Sequence, residues 1–273
     1  MSVELVIDWE DRKELGRTGE RVPAIGIGTW DIRDYAKAED ALTRAIEEGL
    51  NLIDTAEMYD SGKAEELVGR VVARVGRDNV FIVTKLLPER FTSPEMVLRA
   101  TRASLSRLGV SSVDLLLIHW PHPVLPIEIQ VRNLERAAEA GLARYIGVSN
   151  FDEKELELAL SSTRKHDIVV DQVKYSVLDK SVERRLLPLC VEAGVTLQAY
   201  TPLERGLVVE IEELKRVGSK YGKTAAQVAL NYLISHKRVI AIPKSEKARR
   251  IDEFRGALGW RLSREDLELL RAL

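Results

Sequence analysis

The stretch VDLLLIHWP, residues 113–121, decides the fold. Four consecutive aliphatic residues, 115–118, are typical of a strand that is covered on both faces, as strands are in a parallel sheet flanked by helices. His119 therefore stands where the strand leaves the sheet, followed by Trp120 and Pro121. Because active sites of parallel α/β folds lie at that end of the strands, His119 is a candidate functional residue.

Similar short aliphatic runs alternate with amphipathic segments along the rest of the chain. We predict eight strands near residues 24–28, 51–54, 80–84, 113–118, 144–148, 168–172, 195–199 and 238–242. We predict helices near 36–48, 63–75, 94–107, 128–140, 152–160, 182–192, 224–235 and 246–255, and a last helix beginning at Ser263. This alternation predicts a (β/α)8 TIM barrel formed by one domain over residues 1–273. GIGTW, residues 26–30, lacks the GxGxxG pattern of a Rossmann fold.

The segment ELGRTGERVPAI, residues 14–25, precedes the first strand of the predicted barrel. Its two strand-like halves flank Thr18 and Gly19, which are suited to a turn. We expect an N-terminal β-hairpin that closes the bottom of the barrel.

Composition restricts the class of partner. The 273 residues are 45% hydrophobic and 31% charged, and the net charge is −2, so electrostatics favour neither nucleic acid nor an anionic membrane. No run approaches the ~20 apolar residues of a membrane span, and the first residues lack the apolar core of a signal peptide. One cysteine, Cys190, suits a reducing compartment. We expect a cytoplasmic monomer whose partner is a small molecule.

Polar residues follow three neighbouring predicted strands: Asp54 and Tyr59 in LNLIDTAEMY, Lys85 in VFIVTKLL, and His119. An ammonium beside a phenol lowers the phenol pKa, so Lys85 can help Tyr59 to act as an acid. A buried lysine needs a counter-ion, which Asp54 can supply, and His119 can orient a carbonyl group. Taken singly, these residues could equally be a helix cap, a loop aromatic, an exposed lysine and a structural histidine. No metal-ligand spacing such as HExxH is present, and we expect no metal.

Eight segments in order resemble the signatures of the aldo-keto reductase family, and the resemblance runs from about residue 15 to the end. They are GIGTW (26–30), IDTAEMY (53–59), VTKL (83–86), LLIHWP (116–121), IGVSNF (146–151), DQVKY (171–175), QAYTPL (198–203) and IPKS (242–245). The resemblance implies reduction of aldehydes and ketones to alcohols with NADPH, which donates a hydride while Tyr59 donates the proton.

The resemblance also implies site residues. The catalytic tetrad would be Asp54, Tyr59, Lys85 and His119. Cofactor contacts would come from Thr29, Asp54, Ser149, Asn150, Gln172, Tyr200, Pro202, Leu203, Lys244, Ser245, Arg250 and Glu253. Within that set, Ser149, Asn150 and Gln172 would hold the nicotinamide carboxamide and Tyr200 would stack on its ring. Lys244, Ser245 and Arg250 would bind the 2′-phosphate. The substrate would contact Trp30, Met58, Tyr59, His119 and Trp120.

Three positions depart from the family pattern. Phe254 stands where the family usually has an asparagine near the adenine, so some use of NADH is expected, and Ser176-Val177 replaces the common His-Pro. Two other functions stay open at this point. One is a nicotinamide-binding regulatory subunit on the same barrel, and the other is a Schiff-base aldolase with Lys85 as its nucleophile.

Overall fold

Eight parallel strands form the central sheet of this computed structural model, which describes residues 7–273. Two further strands precede them. In chain order the strands are β1 (Arg12–Glu14), β2 (Arg21–Pro23), β3 (Ile27–Gly28), β4 (Leu52–Asp54), β5 (Phe81–Leu86), β6 (Val113–Ile118), β7 (Ala143–Ser149), β8 (Ile168–Lys174), β9 (Thr196–Tyr200) and β10 (Val239–Ala241). From β3 to β10, each strand pairs with the next one in the chain.

The first and last strands of this sheet meet and close it into a barrel. Parallel bridges join Ile25 to Ala241 and Gly28 to Lys244. The Gly26 amide donates to the Ala241 carbonyl at 2.9 Å, and the Gly28 amide donates to the Pro243 carbonyl at 3.0 Å. The predicted (β/α)8 barrel is confirmed, and its closure lies between β3 and β10.

Helices cover the outside of the barrel. They are α1 (Tyr35–Glu47), α2 (Lys63–Val75), α3 (Pro94–Leu108), α4 (Ile127–Glu139), α5 (Glu153–Ser162), α6 (Leu186–Ala193), α7 (Glu212–Tyr221), α8 (Ala225–Ile234), α9 (Ala248–Arg255) and α10 (Arg264–Arg271). The caps agree with the sequence: the Ser93 and Ser263 hydroxyls accept backbone amides at the starts of α3 and α10. Within residues 7–273, no helix combines the length and apolar character needed to cross a membrane.

Two predicted elements differ clearly from the structure, and one observed helix was not predicted. β3 contains only residues 27–28 of the predicted strand 24–28, and α6 begins at Leu186 because residues 181–184 form a separate 3-10 turn. The helix α7 was not predicted. Half of its sequence EELKRVGSKY is charged, and it contains Gly218, which has low helix propensity, so packing through Leu214 and Val217 contributes much of its stability.

The hairpin of β1 and β2 covers the end of the barrel opposite the strand ends that carry Asp54 and His119. Leu15 and Val22 pack on the barrel interior together with Phe81 and Val169. Lys13 is buried, and its ammonium donates to the Ile234 carbonyl at 2.7 Å. The predicted closure of the barrel by the N-terminal hairpin is therefore present, and the opposite end of the barrel stays open.

Candidate active site

The four predicted catalytic residues converge at the open end of the barrel. Asp54 is the last residue of β4, Lys85 lies near the end of β5, and His119 directly follows β6. Tyr59 begins a 3-10 turn five residues after β4. Because β4, β5 and β6 are adjacent parallel strands, their carboxyl ends bring these side chains to one place.

Lys85 is the centre of the hydrogen-bond network. Its Nζ donates to Asp54 Oδ1 at 2.7 Å, to the Thr55 carbonyl at 2.9 Å and to the Tyr59 hydroxyl at 3.1 Å. Gln172 Nε2 donates to the other Asp54 oxygen at 2.7 Å. Lys85 is 0% exposed and Asp54 is 2% exposed, so the ion pair is shielded from water. The side chains form one chain of contacts from Gln172 to Tyr59.

The electrostatics differ in one respect from the prediction. Burial raises the pKa of the Tyr59 phenol, and the opposing effect of Lys85 does not overcome it, so the net shift is upward. The predicted lowering effect of Lys85 on this pKa is present, but the burial of the ring, which the sequence does not show, outweighs it. Burial lowers the pKa of Lys85, but Asp54 and Tyr59 outweigh burial and raise it overall. Tyr59 is therefore a neutral phenol beside an ammonium.

His119 is neutral as well. Burial, and then the charge of Lys85, lower its pKa to about 3. Its ring packs edge-on against Tyr59, with 5.7 Å between ring centroids. The buried Nδ1 atom has no hydrogen-bond partner among the described residues. The ring therefore keeps one buried polar atom that forms no hydrogen bond with the described residues.

These groups open into a cavity of about 760 Å³. Its lining includes most of the predicted cofactor and substrate residues: Trp30, Asp54, Met58, Tyr59, His119, Trp120, Ser149, Asn150, Gln172, Tyr200, Pro202, Leu203, Lys244, Ser245 and Arg250. Lys85 lies beneath the lining. Thr29 and Glu253 lie outside it: the Thr29 hydroxyl donates to the Asp54 carbonyl at 2.9 Å, and Glu253 pairs with Arg250.

Hydrogen bonds hold polar side chains at the ends of β7 and β9 against one wall of the cavity. The Ser149 hydroxyl donates to the Gln172 carbonyl at 2.7 Å, and Asn150 Nδ2 donates to the His119 carbonyl at 2.9 Å. The Tyr200 hydroxyl donates to Asn150 Oδ1 at 2.8 Å. Asn150 has a φ of 60°, a left-handed conformation that asparagine tolerates better than most residues. These bonds therefore hold the Ser149 hydroxyl, the Asn150 amide and the Tyr200 ring in place.

Cationic side chains mark another part of the cavity, after β10 and on α9. Lys244 Nζ donates to the Asp31 carbonyl at 2.7 Å and lies 2.6 Å from a carboxylate oxygen of Glu246. Arg250 pairs with Glu253 one helical turn later. Both predicted phosphate-binding cations thus have a carboxylate partner within the chain.

Sequence reasoning missed the segment Glu204–Glu210, part of which also lines the cavity. The guanidinium of Arg205 lies 5.0 Å from the centroid of the Trp30 ring, and Val208 lines the same space. Arg205 and Gly206 have φ values of 54° and 99°, so the chain turns sharply here. Gly206 was the available signal, because a glycine shortly after a barrel strand indicates an unusual turn.

The sequence model of the Aldo/keto reductase family matches residues 24–273. The chain belongs to this family. The resemblance identified from the eight segments is confirmed, and it extends to nearly the whole chain.

Three similar proteins illustrate the relationship. Methylglyoxal reductase YeaE of Escherichia coli (strain K12) is 34% identical over 258 residues, which cover 91% of this chain and 90% of that protein. The crystal structure of the thermostable aldo-keto reductase Tm1743 with the inhibitor epalrestat has a TM-score of 0.90 and 40% identity, covering 96% of this chain and 98% of the other. An aldo/keto reductase from Klebsiella pneumoniae was crystallised with NADP and acetate. Its structure has a TM-score of 0.90 and 32% identity, and the match covers 96% of this chain and 95% of the other.

Over residues 7–273, no three His, Cys, Asp or Glu side chains are grouped as ligands for a metal ion. The charged side chains that act most strongly on the pKa of Tyr59 are Lys85 and Asp54.

Proposed function

We propose that this chain reduces aldehydes and ketones to alcohols with NADPH, with Tyr59 as the proton donor. One observation carries the proposal: the Lys85 ammonium donates to the Tyr59 hydroxyl at 3.1 Å, beside a neutral His119 and at the wall of a large cavity. A neutral phenol and an adjacent fixed cation are the groups that a carbonyl oxygen needs as it becomes an alcohol.

The cavity fits a nicotinamide dinucleotide. Its volume of about 760 Å³ lies within the range of ligand sites, roughly 300–1,000 Å³. Ser149, Asn150 and Gln172 offer the donors and acceptors that a carboxamide requires, and the face of Tyr200 suits a flat ring. When bound, NADPH supplies the hydride that reduces the carbonyl carbon.

The remaining predicted cofactor residues fall into two groups. Pro202 and Leu203 line the cavity and would pack against the cofactor. Thr29 and Glu253 lie outside the lining, and we assign them positioning roles: Thr29 fixes the backbone of Asp54, and Glu253 orients Arg250. Lys244, Ser245 and Arg250 provide the charge and donors for the 2′-phosphate.

The protein groups divide the proton chemistry among them. Tyr59 holds a proton at its hydroxyl and gives it to the oxygen of the substrate. Lys85 stabilises the negative charge that then develops on the phenol oxygen, and Asp54 fixes Lys85 through the 2.7 Å ion pair. The neutral His119 ring can donate one N–H to the carbonyl oxygen and so aim it at Tyr59.

The substrate side of the cavity is apolar and aromatic. Trp30 and Met58 are 46% and 43% exposed, and Trp120 lies against His119 with 4.8 Å between ring centroids. Such walls bind by contact area and select weakly among carbonyl compounds. Since the E. coli relative is named a methylglyoxal reductase, methylglyoxal is the first substrate to test.

The aldolase alternative is disfavoured by Lys85 itself. A Schiff base requires a neutral, accessible amine, whereas Lys85 is fully buried, has a raised pKa and already makes three hydrogen bonds. The regulatory alternative is disfavoured because the complete proton-donating network would serve no purpose in a sensor.

The proposal also covers the cellular location and the oligomeric state of the protein. We place the protein in the cytoplasm, which agrees with a buried free thiol at Cys190. We also expect a monomer, and light scattering at several concentrations tests this expectation.

The decisive experiment measures loss of NADPH absorbance with methylglyoxal, other aldehydes, ketones and sugars. We expect turnover of several aldehydes and slower turnover of ketones. Cofactor binding without turnover of any carbonyl compound would instead support the regulatory function. Trapping of a carbonyl substrate on Lys85 by borohydride would support the aldolase.

A further inference from the structure

Glu246 connects the cationic part of the cavity to the start of α1. Its two carboxylate oxygens accept the backbone amides of Arg33 at 2.9 Å and Asp34 at 3.1 Å, and one oxygen lies 2.6 Å from Lys244 Nζ. Burial raises the pKa of Glu246, but Lys244 and the two amides outweigh it and the net shift is downward. Glu246 is therefore a fixed anion next to a cation proposed to bind phosphate.

The carboxylate of Glu246 weakens the binding of any phosphate to Lys244. The side chains of Lys244 and Glu246 are 30% and 16% exposed, so the pair is only partly screened by water. A bound phosphate would share Lys244 with Glu246 and would also be repelled by the carboxylate. The second cation, Arg250, also has a carboxylate partner, Glu253, within the same helix.

We propose that Glu246 determines cofactor selectivity: by pairing with Lys244 it weakens the hold on the 2′-phosphate, so that the protein uses NADH as well as NADPH. The inference rests on the proposed function and adds a residue to it. Glu246 does not line the cavity and acts through Lys244, so it is a positioning residue.

Glu246 is a stronger candidate than Glu253 for this role. Arg250 and Glu253 lie within one helix and three residues apart, and the arginine side chain is 39% exposed, so it can turn towards a ligand. Lys244 is also held by the Asp31 carbonyl, and Glu246 is held by amides of another element. Binding of a phosphate must therefore overcome a more rigid arrangement at Lys244.

The test uses two small probes that differ by the 2′-phosphate, adenosine 2′,5′-bisphosphate and AMP, together with NADPH and NADH. Calorimetry or fluorescence titration gives their dissociation constants without turnover. In Glu246→Gln the side-chain oxygen can still accept a backbone amide, but the charge is lost. We expect the bisphosphate and NADPH to bind about 10-fold more tightly, equivalent to ~1.4 kcal/mol, while AMP and NADH change less than about 2-fold.

A matched control removes the same charge elsewhere. Glu10 pairs with Arg21 beside the hairpin at the closed end of the barrel, so Glu10→Gln should leave all four dissociation constants unchanged. A double-mutant cycle with Lys244→Met tests the route of action. If Glu246 acts through Lys244, the gain from Glu246→Gln disappears in the Lys244→Met background.

Two results would overturn the inference. One is an unchanged dissociation constant of the bisphosphate in both Glu246→Gln and Glu246→Ala, with melting curves that show folded proteins. The other is an equal gain for AMP and the bisphosphate. A wild type that binds neither NADPH nor NADH would instead overturn the proposed function itself, and the two failures are therefore distinguishable.

Discussion

Tyr59 is the residue on which the proposed catalysis depends most directly. Tyr59→Phe preserves the ring between Lys85 and His119 but removes the proposed proton donor. We expect kcat to fall by about 10²-fold or more, the scale of general acid catalysis, with little change in the dissociation constant of NADPH. Steady-state assays and a fluorescence titration measure the two quantities.

Tyr221→Phe is the matched control, because the Tyr221 hydroxyl bonds Asp266 on α10 and does not line the cavity. Its kcat should equal that of the wild type. Turnover of aldehydes by Tyr59→Phe at the wild-type rate would show that the proton comes from another group.

Lys85 contributes to stability as well as to the proposed chemistry. Lys85→Met leaves the buried Asp54 carboxylate without its counter-ion, and removing one partner of a buried pair costs about 3–5 kcal/mol. We expect an inactive protein whose free energy of unfolding, measured with urea, is reduced by this amount. The double variant Lys85→Met/Asp54→Asn should recover stability but no activity. If the double variant is as unstable as the single one, the loss arises from packing instead of charge.

His119 makes stability depend on pH below neutrality. Its pKa is about 3 in the folded protein and 6.5 in the unfolded chain, so the unfolded chain binds the extra proton as pH falls from 6.5 towards 3. Its contribution is complete above pH 6.5 and is lost at up to about 1.4 kcal/mol per pH unit below it. Urea unfolding at several pH values should give a shallower slope for His119→Asn than for the wild type. Equal slopes would mean that the ring is protonated in the folded state.

The sequence predicted which residues meet at the site, but it did not predict all of their pKa shifts and contacts. Strand-end positions predicted that Asp54, Lys85 and His119 would meet, because the ends of adjacent parallel strands share one edge. The raised pKa of Tyr59 could not be predicted, since it depends on coverage by residues distant in sequence. Arg205 was missed for a similar reason: nothing in its local sequence shows that it reaches Trp30.

At the scale of elements, the hairpin of β1 and β2 should matter for stability and not for catalysis. Lys13 is 2% exposed and bonds the Ile234 carbonyl and Asp8 at the closed end of the barrel. Lys13→Met removes charge-assisted hydrogen bonds worth roughly 1.5–3 kcal/mol each, so we expect a lower melting temperature and unchanged kcat. Lys165→Met, in a pair whose lysine is 68% exposed, should change stability by less than about 0.5 kcal/mol. A fall in kcat for Lys13→Met below its melting temperature would contradict this separation.

Elements were predictable where a periodic pattern and a cap coincided. α3 has a Ser-Pro start and a glycine at its end, and it was predicted within one residue of its observed bounds. α7 and the segment Glu204–Glu210 were not predicted, because charged or irregular sequence takes its structure from the surface on which it packs. The assignment of residues 1–273 to one domain stays a prediction.

The whole molecule should be stabilised by its cofactor. The cavity is lined by residues from several barrel strands, so it exists, and can bind the cofactor, only in the folded chain. NADPH at 100 times its dissociation constant should add about 2.7 kcal/mol, which for a chain of this size is a rise of roughly 5–10 °C in melting temperature. In Arg250→Ala the rise at the same NADPH concentration should shrink, while the rise with NADH should persist. Equal loss with both cofactors would place Arg250 away from the 2′-phosphate.

The closure of the barrel between β3 and β10 has a consequence for biosynthesis. Residues 24–28 are synthesised long before their parallel partners at residues 241–244. The nascent chain must therefore keep one edge of its sheet unpaired until residues 241–244 have been made, and such an edge invites aggregation. Lys244 lies in this junction and Ser245 directly follows it, so the proposed phosphate site should form only after the junction has been synthesised.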